Sequence, residues 1–276
     1  GKAALQFKLF NMKPLIIHSS DIEGFFKLVD VEGQEYCFQA TSDVEANDWV
    51  KNISEAKRYG YLSQEAKERN GNKVFGVPIQ LVCKRENNVI PYVVHKLLDE
   101  IERRGLDEVG LYRVPGAVAN IQLLKQRFDE SAEEVSLEDQ RFLEINTLAG
   151  CFKLYLRELP ESLLTSELLP SFISVTSGED IVDGVCNLIK RLPFHNYHLL
   201  KKLVTHLNLV TEHSDKNRMD ASNLAMVFSM SFLSSSDTDF TRSLGSLQSI
   251  LLMMIQEPER YFKNAEYDAA VSSFEQ

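Results

Sequence analysis

The sequence predicts an all-α domain preceded by a small, partial α+β segment of β-sandwich character. Three observations carry that prediction. Aromatic-rich strand patterns followed by a capped helix fall within residues 1–62. Residues 63–73 are polar with few apolar anchors and read as a linker. Across residues 74–276 apolar side chains recur at helical spacing, and no strand alternation of any length appears after residue 80.

In the first part, residues 25–30 and 36–41 are strand candidates separated by a turn at Glu32-Gly33. Residues 5–10 and 15–17 are further candidates. Ser42 and Glu45 have the spacing of a capping box, in which hydroxyl and carboxylate satisfy free N–H groups at a helix start. The helix behind them carries Ala46, Trp49, Val50, Ile53 and Ala56 at helical spacing.

Phe75-Gly-Val-Pro-Ile79 opens the second part. Ile90, Val93, Val94, Leu97, Leu98 and Ile101 form one apolar stripe, with Lys96, Asp99, Glu100, Arg103 and Arg104 away from it and Gly105 as the stop. A second helix carries Ala117, Ile121, Leu124 and Phe128, before an acidic break over residues 129–139. A third turns Ile145, Leu148, Phe152, Tyr155, Leu156 and Leu159 inward and ends near Pro160. Residues 163–175 are a shorter apolar segment interrupted by Pro170. Further helices are predicted over residues 180–191, with Ile181, Val185, Leu188 and Ile189 as the stripe, and over residues 197–210. Asp220 or Ser222 caps another through Leu224, Val227 and Phe228, and residues 244–255 make the last.

A net charge of −10 argues against broad electrostatic binding to nucleic acid or an anionic membrane, while leaving room for a small basic site. No apolar run approaches the roughly 18 residues that a membrane-spanning helix needs. Cys37, Cys83, Cys151 and Cys186 are far apart, form no CxxC pair and read as reduced, mostly buried thiols, so the cytoplasm is the expected compartment. His195 and His198 are three apart without an acidic or thiol ligand beside them, and no metal site is expected.

Three dense segments remain. In Gly110-Leu-Tyr-Arg113-Val-Pro-Gly116 one arginine stands between two glycines that can shape a projecting loop, and its planar, permanent charge suits phosphate oxygens. In Phe152-Lys153-Leu-Tyr-Leu-Arg157-Glu-Leu-Pro160-Glu-Ser162, Lys153 and Arg157 are four apart and share a helix face distinct from the apolar stripe. Two such cations need solvent or an anionic partner. The third segment is Asn217-Arg-Met219-Asp-Ala-Ser-Asn223-Leu-Ala-Met-Val-Phe228.

Together these segments resemble the Rho-family GTPase-activating (RhoGAP) domain. Gly110, Tyr112, Arg113 and Gly116 match its arginine loop, and residues 152–161 match its Leu-Lys-x-hydrophobic-Leu-Arg-Glu-Leu-Pro-Glu run. Leu192, Pro193, Asn196, Leu199, Leu203, His206, Leu207 and Val210 follow its central helix, and residues 217–228 match its Asn-x-Met…Asn-Leu-Ala-x-Val-Phe segment. The likeness runs in order over about residues 74–265. Pro115, Ser162 and the pair Ser229-Met230 depart from the usual pattern without removing a catalytic atom. The two strands and helix of residues 1–62 resemble the C-terminal half of a pleckstrin-homology (PH) domain, in which the helix tryptophan, here Trp49, packs into the core. Only a part of that domain fits before Ser42, and the chain is expected to begin inside it or to lack segments of it.

The resemblance implies a GTPase activator, not an enzyme on its own account. The partner would be a small GTPase of the Rho, Cdc42 or Rac kind, and the GTP and Mg²⁺ would belong to that partner, with no cofactor on this chain. Arg113 would be a finger inserted in trans. Lys153 and Arg157 would brace the loop and help contact the partner, Asn223 would bond the partner's switch region, and Gly110 and Gly116 would shape the loop. The spaced basic residues of an inositide-binding loop are not found in residues 1–60, which carry seven Lys/Arg and nine Asp/Glu, so membrane association would be weak or indirect, with recruitment to the cell cortex or plasma membrane. A module that holds a GTPase without accelerating it, and a PH-directed membrane adaptor, are the alternatives. The pairing of parts and the Lys/Asn/Glu-rich linker suggest a large fungal polarity regulator of the bud-emergence kind.

Overall fold

The computed structural model describes residues 13–16, 23–29, 34–60, 71–175, 181–233 and 240–271. The chain divides into two units, Gly1–Gly71 and Asn72–Gln276. Most of the expected linker lies in residues 61–70, outside the described residues, as do the strand candidate at 5–10 and its flanks.

In the first unit, β1 (Lys13–Ile16), β2 (Phe25–Val29) and β3 (Glu35–Gln39) form one antiparallel sheet in the order β1-β2-β3. Side chains alternate across a strand, so the pairs Phe26↔Phe38 and Leu28↔Tyr36 share a face, and the two phenylalanine rings stack at 5.3 Å. Helix α1 (Asp43–Gly60) covers β1 and β2 with Ala46, Ile53 and, in part, Val50. Its N-cap is half of the expected capping box. The Glu45 N–H donates to the Ser42 hydroxyl at 3.2 Å, but the Glu45 carboxylate turns to the backbone N–H and hydroxyl of Thr41. Trp49 corrects the expectation of an inward tryptophan, because it is 52% exposed. Ala46, Val50 and Ile53 are spaced i, i+4, i+7 and make one narrow stripe; Trp49 lies off its edge. The sheet and helix fit a partial PH-like segment.

The second unit is helical. Among the described residues eight helices have eight or more residues: α2 (Ile79–Glu86), α3 (Tyr92–Arg104), α4 (Val118–Ser131), α5 (Ile145–Arg157), α7 (Ile181–Lys190), α8 (Phe194–Glu212), α10 (Ala221–Ser229) and α11 (Phe240–Gln256). Shorter turns intervene at α6 (Leu169–Ser174), α9 (Ser214–Asn217), α12 (Pro258–Tyr261) and α13 (Ala265–Val271). Helix α2 is an addition to the sequence reading. Its eight residues bury only Ile79, Val82 and Cys83, too few to show a period. Pro170 is a second correction: it does not interrupt α6 but stands in its first turn, where its missing N–H has no helical partner to lose. Ala117 precedes α4 and is exposed instead of joining its apolar face. Gly105 ends α3 without a left-handed backbone (φ −120°).

Helix α8 lies at the centre, with Tyr197, Leu199, Leu200, Leu203, Val204, Leu207 and Val210 fully buried, and it packs against α2, α3, α10 and α11. Helices α3 and α4 flank α5. The strip before α2 is pinned to α4 through Asp129, whose carboxylate accepts from the N–H groups of Val74 and Phe75 at 2.7 and 2.9 Å. The acidic break therefore supplies a structural anchor as well as a turn. Of the four cysteines, Cys83 and Cys151 are buried, Cys186 is half-buried and Cys37 is exposed, which corrects the expectation of mostly buried thiols; β3 turns Cys37 to the face opposite Tyr36 and Phe38.

Candidate functional site

Three pieces of chain meet around Arg113: the turn between α3 and α4, the middle of α5, and the turn that leads into α10. The first is built on two N–H groups, those of Arg113 and Val114, which both donate to the Gly110 carbonyl at 2.8 Å. Gly110 has φ +75° and the next but one residue, Tyr112, has φ +69°. A left-handed backbone is natural for glycine and costs an aromatic residue about 1–2 kcal/mol. The ring offsets that cost. Tyr112 is fully buried, edge-on to Phe228 at 4.8 Å and close to Phe152 and His206, and burial of such a ring is worth roughly 1.5–3 kcal/mol. Burying Tyr112 forces its neighbour outward: Arg113, Val114 and Pro115 are all exposed.

Gly116 serves this turn differently from the expectation. Its φ is not positive; what it supplies is room. A Cβ there would lie 2.5 Å from the backbone carbonyl of Asn146 and 2.6 Å from the Thr147 nitrogen, at the start of α5. Gly116→Ala is therefore expected to push the turn off α5 and to destabilise the unit by about 1–3 kcal/mol, read as a lower urea midpoint with an unchanged slope. An unchanged midpoint would mean that the turn yields freely.

Lys153 rises from α5 and its ammonium donates to the Tyr112 carbonyl. Burial and, secondarily, the Arg157 charge push its pKa down. Its partner is a carbonyl dipole; among the described residues no carboxylate pairs with it. Arg157, one turn on, is exposed and makes no hydrogen bond or ion pair among the described residues, so the expected tie from helix to loop through Arg157 is not formed. Arg113 likewise has no carboxylate partner among the described residues. Elsewhere in the unit cations commonly have one, as at Arg104–Glu100, Lys125–Glu158 and Lys202–Asp99.

The third piece hangs on Asn217. Its side chain is fully buried and donates to the carbonyls of Leu106 and Val210 at 2.8 and 2.9 Å, while its own oxygen accepts from the Met219 N–H at 2.8 Å. Its backbone carbonyl accepts from Gly110 N–H at 2.7 Å. The next carbonyl, that of Arg218, accepts from the Asn223 side chain at 3.5 Å. Two successive carbonyls of one turn thus hold the arginine loop and Asn223. Asp220 caps α10 through the Asn223 N–H at 2.8 Å, and the Asn223 side-chain oxygen accepts no hydrogen bond among the described residues. Met226 and Met230 follow on the exposed side of α10.

Sequence reasoning placed Arg113, Lys153 and Asn223 but missed the roles of Tyr112, His206 and Asn217. One signal was available for Tyr112: a bulky aromatic between two loop glycines has few places to go except inward.

The Tyr112 hydroxyl meets His206 Nε2 at 2.5 Å, and His206 Nδ1 meets Glu102 at 2.8 Å. The arrangement that satisfies all three groups has Nδ1–H donating to the carboxylate and Nε2 accepting from the hydroxyl, a neutral imidazole. Burial lowers the His206 pKa, as it does for His95, His195 and His198. Once unfolded, these histidines take up protons near their ordinary pKa of about 6.5. The unfolded state then binds more protons than the folded one, so stability falls as the pH drops below that value. The melting temperature is expected to be lower at pH 5 than at pH 7, and a flat profile would contradict neutral buried imidazoles. The Glu102 carboxylate, held below its usual pKa first by the His206 hydrogen bond, adds a loss of the same sign at lower pH. Among the described residues no group of His, Cys, Asp and Glu could hold a metal ion. His195 Nδ1 meets the Val89 carbonyl at 2.8 Å instead.

The arginine loop, the lysine bonded to it and the asparagine on the adjoining turn all stand on a helical scaffold. Residues 91–237 match the RhoGAP domain, and the chain belongs to that family. It is 45% identical to the GTPase-activating protein BEM2 of Eremothecium gossypii over 274 residues, and 42% identical to BEM2/IPL2 of Saccharomyces cerevisiae over 280 residues. Each match takes in 95% of this chain and 13% of the relative, so the chain spans about an eighth of their length. The crystal structure of human Rho GTPase activating protein 15 superposes with a TM-score of 0.65 at 30% identity, covering 73% of this chain and 99% of that one.

Proposed function

We propose that the helical unit accelerates GTP hydrolysis by a small GTPase of the Rho family, Rho, Cdc42 or Rac in type, by inserting Arg113 into the partner's site. The observation that carries this reading is a turn bearing Arg113 with Lys153 bonded to it and Arg157 one helical turn on, none of the three paired with a carboxylate among the described residues, in a chain of net negative charge. An exposed guanidinium next to a buried anchor, with an unneutralised ammonium behind it, is suited to a polyanion that arrives from outside.

The chemistry follows from charge. As water attacks the terminal phosphorus and the bond to the leaving diphosphate oxygen breaks, negative charge builds on the transferred and leaving oxygens. A guanidinium in place beforehand stabilises that charge without reorganising. Lys153, bonded to the Tyr112 carbonyl, braces the turn, and the free oxygen of Asn223 is available to an N–H donor of the partner. Nucleotide and Mg²⁺ come with the GTPase. The test is single-turnover hydrolysis of GTP by a panel of Rho-family GTPases, with and without this chain. Acceleration of at least one supports the reading; binding without acceleration across the panel would favour a module that only holds its partner.

A further inference from the structure

We infer that His206, acting through Tyr112, is a positioning residue for Arg113; the inference rests on the finger reading above. Arg113 makes no hydrogen bond or ion pair among the described residues that would aim it; its exposed guanidinium lies beside Gly110, its Nη2 3.6 Å from where a Cβ on that glycine would stand. Its direction is set by the residue before it. Tyr112 is held in a left-handed backbone by three handles: its carbonyl by Lys153, its ring by Phe152 and Phe228, and its hydroxyl by His206. The hydroxyl is the far end of the lever, so the 2.5 Å bond there sets how deep the ring sits and hence where the next residue leaves the core.

The chain behind that bond is long and runs from the buried His206 out to the surface. His206, on α8, has a fully buried side chain and is itself oriented by Glu102 on α3. Glu102 is held in turn by Lys202 at 3.3 Å, and Lys202 reaches Asp99 at 3.0 Å. A polar chain in a core is costly to desolvate, and an apolar pair would fill the same space. What the polar chain adds is a single geometry, because each member is satisfied in one arrangement only.

Two variants of the full chain separate positioning from packing: Tyr112→Phe, which deletes one oxygen and keeps the ring, and the double variant Tyr112→Phe/His206→Leu, which also removes the histidine left without a donor. They are measured against whichever Rho-family GTPase the wild-type chain accelerates most, as the saturated single-turnover rate and the half-saturating concentration, alongside melting temperature. Both variants are expected to lose about ten- to a hundredfold in saturated rate, the scale of a misplaced catalytic group, with the half-saturating concentration within about twofold. The double variant is expected to melt no lower than Tyr112→Phe and to stay slow. In an Arg113→Ala background neither change is expected to lower the residual rate further. A double variant as fast as wild type would overturn the inference, and so would an equal further loss in the Arg113→Ala background. If Arg113→Ala itself kept the wild-type rate, the finger reading would fail instead, and the two failures are told apart by that single control.

Discussion

Arg113→Ala is expected to lower the saturated rate of GTP hydrolysis on the partner by about 10³-fold or more, the lower part of the range known for inserted arginine fingers. That corresponds to about 4 kcal/mol of transition-state stabilisation. The side chain is exposed and unbonded among the described residues, so its removal leaves no buried group unpaired, and the melting temperature is expected to stay unchanged. Affinity should move little, because on the finger reading the guanidinium would meet charge that exists fully only in the transition state; the half-saturating concentration is expected within about threefold of wild type. Lysine at this position keeps the charge but not the planar fork, and is expected to restore only a minor part of the rate. The same acceleration from the alanine variant as from wild type would remove Arg113 from the mechanism.

Asn217→Ala is expected to be the most damaging single change to the scaffold of the site, at about 3 kcal/mol of unfolding free energy. Three hydrogen bonds of a fully buried carboxamide disappear together. The carbonyls of Leu106 and Val210 and the N–H of Met219 each lose that partner at once. A smaller side chain also leaves a void that neighbouring backbone cannot fill. The same residue's carbonyl carries Gly110, so the arginine loop is expected to loosen as well, with a fall in the saturated rate that Arg113→Ala would not add to in full. Aspartate keeps the acceptor for Met219 and loses both donors, and its expected loss is at least as large. Denaturation by urea settles the first part; a variant as stable as wild type would show that water replaces the carboxamide.

The helical unit was largely legible because its segments are amphipathic. The stripe from Ile90 to Ile101 is buried at every predicted position, since one face of a helix must cover the core and the spacing of those residues permits only one face. Legibility failed where the period was short or where geometry was tertiary. Helix α2 buries three residues, and three points do not define a period. Trp49 was assigned by likeness, whereas the narrow stripe of Ala46, Val50 and Ile53 decides which way α1 faces. At the site, the residue types are visible in the sequence: a cation between glycines, and cations four apart on one helix. The supporting contacts did not announce themselves. The Lys153 bond to the Tyr112 carbonyl joins residues 41 apart, and the Tyr112–His206 pair joins residues 94 apart, so neither follows from local pattern. At Gly116 the sequence suggests a conformational need, whereas the structure shows one of clearance from α5.

The turn at Asn217 and Arg218 has a consequence for how this surface can diverge. Because neighbouring carbonyls support the Arg113 loop and Asn223, a mutation that remodels one support disturbs the other, and the two cannot be re-tuned separately. Met226 and Met230 are tied to neither carbonyl. They stand exposed along α10, with pliable thioether side chains that adapt to differing surfaces. Substitutions at those two methionines therefore leave the shared turn and both of its supports intact.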